Sequence, residues 1–203
     1  CQLSSLMRIG EIVQLRKKHL ILDKQNIIIK IPSEIAKLQK ARTTFFSKEA
    51  SSLLRPRLKT LSADDLVFGS NDNPLLAEQN SGQILRRVLI KLGLDMKTSR
   101  TELNLINTHS FRAYGFTKLS RHDPNFARRL AGHKGYLDQY DRLSDDEKLS
   151  LYEKYEYELM IDESKKDKAR IDKLESEKDF KINRLEETIN EIKNNLLDLQ
   201  KKN

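Results

Sequence analysis

Thr108-His109-Ser110-Phe111-Arg112 sets an imidazole and a guanidinium three residues apart, and so on one face if the stretch is helical. Ala131-Gly132-His133-Lys134-Gly135 brings a second imidazole, and Tyr140 follows His133 by seven residues. The planar fork of Arg112 suits phosphate oxygens, an imidazole exchanges a proton near neutral pH, and a phenol oxygen is a nucleophile. Together these groups make a site for attacking a phosphodiester. The set calls for no metal and no cofactor.

The elements that must hold these groups are mostly helical. Leu3 to Arg16 reads as one amphipathic helix, on which Arg8 and Glu11 are spaced to pair. His19–Asp23 and Asn26–Ile31 read as a hairpin ended by Pro32, with Arg42–Ser47 as a third strand. The connecting segment, Ser33 to Ala41, puts Lys37 or Lys40 on a turn, where an amine can reach a phosphate or give a proton to a departing alkoxide.

Lys48 to Leu61 reads as helix interrupted by Pro56. Asn71 to Pro74 reads as loop, and Glu78 to Leu92 as helix with Ile84, Leu85, Val88, Leu89 and Leu92 inward. In the helix from His109 to Leu119 the aromatic residues Phe111, Tyr114 and Phe116 are expected in the core. Asp123-Pro124 starts a further helix that ends at Gly132, with Arg128 and Arg129 outward toward DNA phosphates. An acidic helix from Ser144 to Met160 follows, in which Tyr152, Tyr155 and Tyr157 are packing residues.

The tail has a different pattern. Ile182, Leu185, Ile189, Ile192, Leu196 and Leu199 step by three and four, a coiled-coil seam. Upstream, Ile171, Leu174 and Lys178 reach Ile182 through a stutter.

The formal charge of +8 is unevenly spread. Residues 1–140 carry 24 basic against 12 acidic side chains, whereas 161–203 hold 11 of each. A basic body favours a polyanionic partner, nucleic acid before an anionic membrane. One cysteine in 203 residues allows no internal disulfide. No apolar stretch is long enough for a membrane span, so the expectation is a cytoplasmic, nucleoid-associated protein. The chain starts with Cys inside a helical pattern, and is expected to be a fragment lacking its N-terminal part.

Four stretches taken in order resemble the tyrosine recombinase (phage integrase) family: Leu6–Ile12, Ala36–Thr43, His109–Arg112 and Leu130–His133 with Tyr140. The pattern from Gly132 to Tyr152 is similar to an archaeal or bacterial branch. Leu6 stands where the family usually has a small residue.

The resemblance implies an α+β, mostly helical catalytic domain over residues 1–161 with a small three-stranded antiparallel sheet. A C-terminal helix over 162–203, expected to be a coiled coil by its period, lies outside the family pattern, and an N-terminal core-binding domain is expected to be missing. The implied activity is breaking and rejoining double-stranded DNA through a 3′-phosphotyrosyl link, as a tetramer on two duplexes. In that reading Tyr140 attacks phosphorus, Arg8 and Arg112 clamp the non-bridging oxygens, and His109 and His133 handle protons. Lys37, with Lys40 as the alternative, protonates the leaving 5′ oxygen, and Glu11 orients Arg8. Arg42, Arg128, Arg129 and Lys134 are read as further DNA contacts. The rival functions are a type IB-like topoisomerase, or a non-catalytic DNA-binding protein that assembles through its coil.

Overall fold

A computed structural model of the chain describes residues 1–69, 71–98, 104–133 and 143–200. It is mostly helical with one small sheet, the fold class expected. Cys1–Met160 forms one compact unit and Ile161–Asn203 a second.

The helix expected from Leu3 to Arg16 is two short ones, α1 (Gln2–Ser5) and α2 (Ile9–Val13). Leu6 breaks it with a left-handed backbone, φ 54°, at the position where the family prefers a small residue. A branched side chain there costs about 1 kcal/mol or more. Leu6 and Met7, both fully buried, then enter two different cores. Arg8 restarts the helix, its backbone N–H donating to Glu11 Oε2 at 2.8 Å.

Three antiparallel strands follow: β1 (Leu20–Ile21), β2 (Ile28–Ile31) and β3 (Arg42–Phe45). β2 is central, pairing Ile29 with Leu20 on one side and with Thr44 on the other. Period-two alternation divides the strand residues between the cores. Ile27, Ile29 and Ile31 pack with Met7, Leu15, Leu58 and Phe46. Ile28 and Phe45 pack on the far side with Leu6, Leu119, Leu130 and Tyr152.

Helix α3 (Lys48–Lys59) runs through Pro56 without the expected interruption. Buried Leu54 and Leu58 flank the proline and hold the turn that its missing N–H weakens. Helix α4 (Pro74–Lys91) starts four residues before the expected Glu78, because Asn73 caps it and Pro74 occupies the first turn. Its expected inward face is mostly outward: Leu89 is buried, but Ile84, Val88 and Leu92 are 60%, 46% and 64% exposed.

Helix α5 (Thr108–Ser120) also departs from expectation, since Phe111 and Tyr114 are exposed. Arg112, Gly115 and Leu119 face inward instead, because α1 crosses so closely at Gly115 that only a small residue fits. Helix α6 (Pro124–Ala131) is capped by Asp123 and ends at Gly132, whose φ of 65° suits glycine. Helix α7 (Asp145–Tyr155) and a 3-10 turn over Glu156–Leu159 complete the first unit. Tyr152 lies fully buried, donating from its hydroxyl to the Ser4 carbonyl at 2.9 Å, and Tyr155 stacks on His122. In the second unit, helix α8 spans Glu163–Gln200.

A Cβ at Gly115 would stand 2.6 Å from both the Leu3 carbonyl oxygen and Leu6 Cδ2. Gly115→Ala is therefore expected to cost about 1–3 kcal/mol in urea unfolding. Gly82→Ala meets open space on α4 and should stabilise by up to about 1 kcal/mol. Equal effects of the two substitutions would contradict this packing.

Candidate functional site

Arg112 lies in the interior, 4% exposed, on the inward face of α5. One of its terminal nitrogens donates to the carbonyl of Leu6, the residue at the break between α1 and α2. The other donates to the Ala131 carbonyl at 2.6 Å, and lies 3.1 Å from His133 Nε2. The same guanidinium thus ties the segment leading into Arg8 to the end of α6. Burial, then the nearby charge of Arg8, lowers its pKa to about 10, so it remains a cation at neutral pH.

His133 follows the αL turn of Gly132, and its backbone N–H donates to the Arg128 carbonyl. Its ring rests against Phe116 with centroids 5.0 Å apart. Desolvation there, with the charges of Arg112, Arg8, Arg128 and Arg42, holds the imidazole below its ordinary pKa. The ring is therefore neutral at neutral pH. Nε2 then accepts from Arg112 and Nδ1 carries the proton.

Arg8 and Glu11 form the i, i+3 pair that their spacing suggests, at 3.4 Å. The pair belongs to a larger group. Arg42, from β3, places its two terminal nitrogens on the Glu11 carboxylate at 2.9 and 2.7 Å, and its Nε donates to the Leu130 carbonyl at 3.1 Å. Burial works to raise the Glu11 carboxyl, but the hydrogen bonds and charges of Arg42 and Arg8 outweigh it, and its pKa falls below the usual carboxylate range. Arg42, read from the sequence as a DNA contact, has its guanidinium committed to the protein. It sits against Gly132, where a Cβ would fall 2.9 Å from it.

A cavity of about 310 Å³ opens over this group, lined among others by Arg8, Lys40, Arg42, Arg129, His133 and Lys148. Among the described residues its lining contains no carboxylate. The concentration of cations around one hollow favours an anion, and forked guanidinium donors favour a phosphate in particular.

The other sequence candidates fall in different places. Lys37 is exposed on the β2–β3 turn and is not in the cavity wall, whereas Lys40 is. Gln39 between them takes a positive φ of 49°. His109 is exposed in the first turn of α5, where Asn107 caps the helix through the His109 backbone N–H. The helix turns Arg112 inward, behind the cavity wall rather than in it, and leaves the exposed His109 outside the wall as well. Arg128 is exposed, and Arg129 is half-buried at the wall. Tyr140 and Lys134 lie outside the described residues, as does Tyr136. Lys148, half-buried on the otherwise acidic α7, was missed by sequence reading, since nothing in its surroundings marks it as basic.

Arg42→Met should leave Glu11 buried with too little compensation, costing about 3–5 kcal/mol in denaturant unfolding, and Arg42→Met with Glu11→Leu should recover much of that. The folded pKa of Glu11 is depressed, so its contribution to stability is present above the ordinary carboxylate pKa. It is lost as pH falls through the folded value. Stability measured between about pH 6 and pH 3 should fall less steeply in the double variant than in the native chain. Parallel pH profiles would exclude an ionised Glu11 in the fold.

A family model described as the phage integrase family matches residues 1–137. Among solved structures, that of XerA recombinase is 22% identical, covering 74% of this chain and 54% of its own, with a TM-score of 0.47. That of XerH site-specific recombinase bound to difH substrate, a pre-cleavage complex, is 23% identical, covering 66% of this chain and 38% of its own, with a TM-score of 0.48. The chain spans about half or less of the length of these proteins. No curated protein matches it.

Proposed function

The chain belongs to the phage integrase family, and on that premise we propose that it is a site-specific DNA recombinase acting through a 3′-phosphotyrosyl intermediate. The observation that supports this reading best is the buried Arg112, which joins the Arg8 turn to His133, two residues that line one hollow together with Lys40, Arg42, Arg129 and Lys148.

In this reading the scissile phosphate sits in that hollow. Arg8 meets its non-bridging oxygens from the cavity wall, and Arg112 takes the same role by resemblance once its terminal nitrogens leave the Leu6 and Ala131 carbonyls, so that both stabilise the charge that grows as phosphorus becomes five-coordinate. Neutral His133 presents its Nδ1 proton or, once the phosphate's charge raises its basicity, takes a further proton. His109, from the motif that carries Arg112, serves the same phosphate if DNA draws the first turn of α5 toward it.

Tyr140 supplies the nucleophile. Its phenol oxygen forms a bond to phosphorus while the bond to the 5′ oxygen breaks. The phenol proton passes to a base or water, and the departing alkoxide takes a proton from a lysine on the β2–β3 turn. Lys37 holds that role by resemblance, and Lys40 by its place in the cavity wall. Rejoining reverses the step, with a 5′ hydroxyl attacking the tyrosyl phosphodiester. The phosphodiester count is unchanged, so the exchange needs neither ATP nor another energy source.

Glu11 and Arg42 position rather than react, holding Arg8 and the Gly132 turn in one frame. Arg128, Arg129 and Lys134 are left for the DNA backbone. Strand exchange between two duplexes requires four such sites, hence a tetramer on DNA.

Incubation with a nicked suicide duplex should give a covalent protein–DNA adduct that Tyr140→Phe abolishes. Arg112→Ala should slow adduct formation by about 10²–10³-fold. A DNA shift without adduct would point to a binding protein, and relaxation of supercoils without strand exchange to a topoisomerase. The lysines are separated by replacing the scissile bridging 5′ oxygen with sulfur, a leaving group that needs no proton. Whichever of Lys37→Ala and Lys40→Ala regains its rate on that substrate names the proton donor.

A further inference from the structure

The recombinase reading makes no use of helix α8, although it is the longest element and carries an unpartnered apolar seam. Ile182, Leu185, Ile189 and Ile192 fall on one stripe, each 41–62% exposed. Ile171 and Leu174, 55% and 57% exposed, continue it upstream across eleven residues. Three turns of an α-helix make eleven residues, so the stripe crosses that stretch without leaving its face. Leu196 and Leu199 extend the spacing in the sequence.

We propose that α8 pairs with α8 of a second copy of this chain as a parallel, in-register, two-stranded coiled coil. This inference stands apart from the recombinase reading. Two features choose the occupant. With Ile182 at the first core position of a heptad, the a positions are Ile182, Ile189 and Leu196, and the d positions Leu185, Ile192 and Leu199. Isoleucine predominating at a with leucine predominating at d favours two parallel strands.

The flanking charges agree. Lys181 takes the g position and Glu186 the following e position, so in a parallel pair each Lys181 meets Glu186 of the other copy, twice per dimer. An antiparallel pair would set Lys181 against Lys202 in sequence, a like-charge contact. The balance of 11 basic and 11 acidic residues over 161–203 leaves no net repulsion between copies. The seam is short, so the pair is expected to be reversible rather than permanent.

The test uses the full chain with Cys1→Ser, so that an introduced cysteine is the only thiol. At tens of micromolar, light scattering should give twice the chain mass, and Ile182→Asp with Ile189→Asp should return it to one. Leu174→Cys should form a covalent dimer on oxidation, because an antiparallel pairing of the seam would hold the two thiols roughly 50 Å apart. Lys181→Glu and Glu186→Lys should each weaken self-association at least severalfold, and mixing the two variants should restore it. A monomer, a trimer, a dimer that survives the double aspartate variant, or a dimer without the Leu174→Cys link overturns the proposal. Retained helical content in the first unit shows that loss of mass reflects lost pairing rather than unfolding.

Discussion

The carbonyls of Ser4, Ser5 and Leu6 are each taken by a side chain from a distant element. Tyr152 donates to the first at 2.9 Å, Thr44 to the second at 2.6 Å, and Arg112 to the third. A helix leaves its last carbonyls without intrahelical partners, and buried ones must find them elsewhere. Here the partners come from α7, β3 and α5. They fix the break between α1 and α2 in space, and Arg8 starts two residues after it. The left-handed Leu6 is tolerated because this ring of donors holds it there.

Arg112 does the most in that arrangement. A buried guanidinium is costly unless its donors are met. Leu6, Ala131 and His133 meet them from two segments that lie far apart in sequence. Packing stability and chemistry therefore share one side chain. Burial first, and then repulsion among neighbouring arginines, lowers the pKa of Arg112 and depresses His133. Glu11 relieves part of that repulsion from beneath. A phosphate would relieve more, so the same repulsion would favour an anion in the hollow.

Much of this was legible from residue types and spacing. The small sheet, the Asp123 cap, the Gly132 stop and the Arg8–Glu11 pair all rest on local rules, and local rules operate in the folded chain. The misreadings were tertiary. Nothing local signals that Leu6 turns left-handed, or that Gly115 lets α1 approach and so turns Phe111 and Tyr114 outward. Arg42 reads as a phosphate contact because it is basic and next to the lysine turn, and in the fold it lines the cavity while its nitrogens bond Glu11 and Leu130. Its bond to Glu11, 31 residues away, cannot be inferred without knowing that β3 passes over α2. Lys148 was hidden for the same reason, being a lysine among acidic neighbours that reaches the cavity wall only through packing.

The account depends on Arg112 holding His133 as a neutral acceptor at Nε2. Nitrogen-15 NMR of the His133 ring, followed across pH in the free protein, reads this directly. The account predicts the tautomer protonated at Nδ1, with a pKa below that of an unperturbed histidine. A ring protonated at Nε2, or a pKa raised above the ordinary value, would contradict it.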